Sequence, residues 1–123
     1  MSRLGPLESQ VMDAVWMLGS ASVRDVIHAL GDGRDSAYTT IQTIMTRLAN
    51  KKMLGRQLSG RAYVYSPTLS KQEYDEARAR GRVRNLINEF GDLAVAQFAA
   101  ELQEVDPERA RQLGALLRRS DNR

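Results

Sequence analysis

The chain has no cysteine and a single histidine, His28, among its 123 residues. The missing thiols exclude a disulfide scaffold, a thiolate metal site and a cysteine nucleophile. They also fit a reducing compartment, and a cytoplasmic protein is the expectation. Aromatic residues are scarce, with one tryptophan, four tyrosines and two phenylalanines. Apolar residues still make up 42% of the chain, enough for a small core. With so few large rings, a core shared with a second subunit is expected. No apolar run approaches the ~18 residues that span a bilayer. The opening "MSRLGPLESQ" holds no apolar secretory segment. No membrane insertion is expected.

Charge of one sign is also sparse overall, at a formal net +3, but it is unevenly placed. Residues 1–69 carry eight Lys/Arg and five Asp/Glu, whereas residues 70–123 carry ten of each. From Arg47 to Arg61 there are five cations (Arg47, Lys51, Lys52, Arg56, Arg61) and no carboxylate. A basic stretch on a near-neutral chain suggests a polyanionic partner. A solvated surface run is the competing reading.

The apolar periodicity predicts helices first. Leu7, Val11, Met12, Ala14, Val15 and Leu18 recur at helical spacing between Pro6 and Gly19. Ser22 caps a short second helix, "VRDVIHAL", closed by Gly31. "GDGRDS" reads as a turn, with Asp35 or Ser36 capping a third helix that runs to about Lys51. Around Ser59-Gly60 the pattern changes to two short runs, Leu54–Leu58 and Ala62–Ser66, a β-hairpin closed by Pro67. Beyond it, Ser70 and Glu73 form a capping box. Helices follow to about Phe90, from Asp92, and from Asp106-Pro107 to the end. The expected fold is mainly α with a small β-hairpin. Residues 1–68 form a winged helix-turn-helix domain, and residues 69–123 form a helical arm.

In a helix-turn-helix the last helix of the motif enters the major groove. The third helix is unusual in carrying four threonines, Thr39, Thr40, Thr43 and Thr46. Threonine costs roughly half a kcal/mol of helix propensity against alanine. At about 100° per residue, Ile41, Ile44, Met45 and Leu48 share one side of the helix. Thr39, Thr43, Thr46 and Asn50 fall on the other, flanked by Gln42 and Arg47. Short side chains let the backbone approach a groove. Threonine offers a hydroxyl to phosphate or base edge and a methyl to thymine. Gln42 matches adenine bidentately, and Arg47 matches guanine or phosphate. The candidate DNA-contacting set is Ser22, Thr39, Thr40, Gln42, Thr43, Thr46, Arg47, Lys51, Lys52 and Arg61, the last at the hairpin tip. Tyr63 and Tyr65 share one strand face and are expected to pack.

Nothing else in the sequence carries chemistry. His28 has no partner at metal-ligand spacing. Glu8, Asp13 and Asp25 read as surface or cap residues. No serine lies in a histidine or lysine neighbourhood that would mark a nucleophile. No catalytic residue, metal or cofactor is expected.

The stretches "LGPLESQVMDAVW", "VRDVIHAL", "AYTTIQTIMTRLANKKML" and "GRAYVYSP" together resemble the penicillinase repressor family, BlaI/MecI/CopY. The resemblance covers about residues 4–67 closely and the arm more loosely, and favours the BlaI/MecI branch. It implies a homodimeric winged-helix transcriptional repressor of antibiotic-resistance genes. Such a dimer binds a palindromic operator in double-stranded DNA, with its reading helices about one turn apart. It puts the matches to Thr39, Thr40, Gln42, Thr43 and Arg47 on the reading helix, with Gln42 where some members carry a basic residue. It makes the arm the dimer interface. The residues expected there are Leu86, Ile87, Phe90, Leu93, Phe98, Leu102, Leu113, Leu116 and Leu117. The copper branch's cysteine cluster is absent. The β-lactam branch implies a membrane sensor-protease pathway that ends in cleavage of the arm, here at Gln97–Phe98, where the family has Asn-Phe. Two other readings compete. One is a small-molecule-responsive winged-helix regulator; the other is a sequence-independent DNA-binding module.

Overall fold

The computed structural model describes residues 4–31 and 38–121. The expected "GDGRDS" turn and the Asp35 or Ser36 cap lie outside the described residues. The order is α1 (Pro6–Leu18), α2 (Val23–Leu30), α3 (Tyr38–Asn50), β1 (Leu54–Ser59), β2 (Ala62–Pro67), α4 (Lys71–Phe90), α5 (Asp92–Val105) and α6 (Pro107–Asp121). This is the predicted mainly helical fold with one hairpin. Contacts divide it into two compact units, Met1–Arg78 and Ala79–Arg123, called head and arm below.

The head is built on the apolar stripes. Val11, Met12 and Val15 of α1, Val26 of α2, and Ile41, Met45 and Leu48 of α3 are fully buried together. The hairpin is antiparallel, pairing Leu54 with Pro67 through Ser59 with Ala62. Each strand is one residue longer than expected. Pro67 is tolerated because it ends its strand, where a missing N–H breaks no interior rung. A two-residue turn joins the strands, with Gly60 at φ +65°. That geometry suits glycine at the first turn position.

Two short links lock the hairpin to the helices. Ala21 and Tyr65 exchange both backbone hydrogen bonds, each 2.8 Å. Thr68 Oγ1 donates to the Lys52 and Met53 carbonyls at 2.7 and 3.1 Å. The buried Tyr65 ring fills the corner. The start of α4 also belongs to the head. Tyr74 is buried against Trp16, with ring centroids 5.4 Å apart. Trp16 Nε1 donates to the Leu69 carbonyl at 2.9 Å. The break in contacts therefore falls inside α4, after the turns that carry Tyr74.

The arm differs in kind. α5 packs on α6, with Leu102, Ala110 and Leu113 half-buried. Among the described residues of the arm, no side chain is buried. Leu86, Ile87, Phe90, Leu93, Phe98, Leu116 and Leu117 are all about half exposed or more.

Candidate nucleic-acid interface

α3 folds as a helix because Ile41, Ile44, Met45 and Leu48 are buried beneath it. That leaves its outer face open. Thr39, Thr40, Gln42, Thr43, Arg47 and Asn50 are exposed, and Thr46 is half-buried beside them. Gln42, Thr43, Thr46, Arg47 and Asn50 line one shallow concavity. Five of the expected residues or their neighbours are thus brought to a single polar surface. That surface offers hydroxyls, amides and one guanidinium.

The flanking residues fall into three groups. Ser22 caps α2: its Oγ accepts the Asp25 N–H at 3.1 Å, and Asp25 Oδ2 accepts the Ser22 N–H at 3.0 Å. The carboxyl of Asp25 is held below its usual range, first by the Ser22 N–H and then by its hydroxyl. Arg61 sits exposed in the hairpin turn. Lys52 is exposed and takes φ +65°, ending α3 in the left-handed region.

Lys51 is engaged within the head. Its Nζ lies 3.0 Å from Glu8 Oε2 and 3.3 Å from Glu8 Oε1. Glu8 was expected as a surface or cap residue. It does cap α1, accepting the Gly5 N–H at 3.0 Å, but it is buried, at 9% exposure. The Gly5 hydrogen bond lowers its carboxyl pKa most. Burial opposes this, and Lys51 and then Arg47 lower it further.

Two cation–ring pairs went unseen in the sequence. The Arg24 guanidinium stands 5.7 Å from the Tyr38 ring centre, joining the first turns of α2 and α3. Arg56 stands 4.4 Å from the Tyr63 ring centre on the hairpin. Tyr63 is 42% exposed, so of the two tyrosines expected to pack, only Tyr65 is buried. The face that buries Leu54 and Tyr65 at the hairpin base runs past the core toward the tip. Register alone would have placed Arg56 diagonally across from Tyr63.

The penicillinase repressor model matches residues 4–119, nearly the whole chain. The chain belongs to the penicillinase repressor family. The transcriptional regulator BlaI of Mycobacterium tuberculosis is 40% identical over 74 residues, or 59% of this chain. The match spans about half that relative's length, 54%. The penicillinase repressor of Bacillus licheniformis is 26% identical over 121 residues, covering 98% of this chain and 94% of its own. Among solved structures, the DNA-binding domain of the repressor BlaI aligns with a TM-score of 0.51 at 30% identity. It covers 58% of this chain and 88% of that one. The head is therefore a winged helix of the penicillinase repressor type, with β1–β2 as the wing.

Proposed function

We propose that this protein is a cytoplasmic transcriptional repressor that binds a palindromic DNA operator as a homodimer. The observation that carries the reading is α3. Its buried face fixes the helix, while its outer face keeps threonines, Gln42 and Arg47 open at a cost in propensity. The likeness of the head to the DNA-binding domain of BlaI supports reading that face as the base-reading surface. Thr39, Thr40, Gln42, Thr43, Thr46 and Arg47 enter the groove. Lys52 and Arg61 take phosphates, and Ser22 lies at the entry of α2.

The homodimer is supported by the arm. Its side chains bury nothing among the described residues, and Leu86, Ile87, Phe90, Leu93, Phe98, Leu116 and Leu117 offer a wide apolar surface. Such surface is seldom left bare on a monomer. Leu102 and Leu113 are half-buried beneath it, where α5 packs on α6. Relief by a sensor-protease pathway would act at Gln97–Phe98, in the middle of α5. A protease needs that bond extended, so cleavage requires α5 to unwind locally.

The test is selection of genomic fragments by the purified protein. A shared palindrome among retained fragments, with half-sites about one DNA turn apart, is expected. Equal affinity for those fragments and for random duplex would sink the reading.

A further inference from the structure

We propose that Glu8 limits the sequence-independent affinity of the head for DNA. It holds the Lys51 ammonium in an ion pair at the surface of the head and so withholds one sequence-independent phosphate contact from the end of α3. The inference rests on the DNA-binding reading, in which α3 is the reading helix.

The geometry is that of an occupied cation. Both Glu8 oxygens lie within 3.3 Å of Lys51 Nζ, and Oε1 also accepts the Gly5 N–H. The Glu8 side chain is 11% exposed and that of Lys51 32%. The other ion pairs among the described residues all join side chains at least 39% exposed. Salt screens those pairs readily but a sheltered one far less. A phosphate that took Lys51 would leave Glu8 buried without its partner, the costly way to break an ion pair.

Four other cations of the basic stretch differ. Arg47, Lys52, Arg56 and Arg61 are exposed, and none has an ion-pair partner among the described residues. Lys52, Arg56 and Arg61 can serve any DNA sequence, whereas Arg47 stands with the reading residues of α3. One more such contact would raise affinity for every site alike and add about 0.9 to the salt slope. It would do nothing for base readout. Withholding it keeps binding to every duplex weaker and less salt-dependent, and leaves the ratio between operator and random sites to the open face of α3.

The test measures the affinity of the full chain for operator and random duplex across a salt series. Glu8→Gln keeps an oxygen for the Gly5 N–H but removes the charge. It is expected to bind random duplex roughly fivefold tighter near 0.15 M salt, with a slope steeper by about 0.9. Its operator affinity should rise by the same factor, leaving the ratio of operator to random binding as in the wild type. The double variant Glu8→Gln/Lys51→Met removes both charges without stranding either, and should keep the wild-type slope. An unchanged slope in a folded Glu8→Gln variant overturns the inference. So does a slope about 0.9 flatter in the double variant, which would mean that Lys51 already contacts phosphate. If Glu8→Gln alone does not fold, as judged by Trp16 fluorescence, the double variant decides. Wild type that retains no DNA overturns the DNA-binding reading itself. Wild type that binds, while the variants fail as stated, overturns only the role of Glu8.

Discussion

The head and the arm have comparable shares of apolar residues but spend them differently. In the head, Val11, Met12, Val15, Val26, Ile41, Met45 and Leu48 meet from three helices and vanish from solvent. In the arm, Leu86, Phe90, Leu93, Phe98, Leu116 and Leu117 stay in contact with water. The head is a folding unit that closes on itself. The arm, among the described residues, closes over none of its large apolar side chains. The difference teaches that helix patterning alone cannot say where a helix finds its partner. An apolar stripe is satisfied equally by the same chain or by another.

The largest effect should come from hollowing the closed unit. Leu48→Ala removes a fully buried side chain and should cost the head about 2–5 kcal/mol. Urea unfolding followed by Trp16 fluorescence reads it, and a loss below 1 kcal/mol would mean the core is less shared than described.

The arm should answer differently. Phe98→Asp should leave the urea midpoint of the head within experimental error while weakening self-association by about 2 kcal/mol or more. Sedimentation velocity at micromolar concentration tests this. A dimer that persists, or a head that melts early, would erase the contrast between the units.

Next is the open face of α3. Gln42→Ala should lower discrimination between operator and mismatched operator by about 1–3 kcal/mol, with head stability unchanged. Competition binding at fixed salt measures it, and a uniform loss across all sequences would recast Gln42 as a backbone contact.

Lys52 connects stability to binding. A non-glycine residue in the left-handed region costs about 1–2 kcal/mol. Lys52→Gly should therefore stabilise the head by about 1 kcal/mol and flatten the salt slope by about 0.9. A thermal melt and a salt titration would show opposite changes in the one variant.

The smallest effect is expected from acid. Glu8, Asp25 and Glu73 all have carboxyls held below their ordinary values, led in each case by a backbone N–H from Gly5, Ser22 and Ser70. A carboxyl that is more acidic when folded stabilises the head above its unfolded value, about 4.5 for glutamate. That contribution is lost as pH falls further through the folded value. Head melting temperature should hold from pH 7 to about 5 and then decline. Glu8→Gln should decline less steeply.

Much of this was legible in the sequence. α1 and α2 begin and end where Pro6, Gly19, Ser22 and Gly31 mark them, because those residues act on backbone within one turn. The buried face of α3 follows from period alone. What escaped was contact between polar groups far apart in the chain. Lys51 meets Glu8 across 43 residues, and Trp16 reaches Leu69 across 53. Periodicity reports which face turns inward and is silent on which charged ends meet there. For the same reason the boundary near residue 68 could not include Tyr74, whose burial depends on a ring supplied by α1.

The paired Ala21 and Tyr65 strands carry a mechanical consequence. Ala21 immediately precedes Ser22, so a force applied at the wing reaches the start of α2 through two hydrogen bonds of 2.8 Å. On the DNA-binding reading, the two ends of the head are yoked like the jaws of a calliper, so a shift of one is passed on to the other.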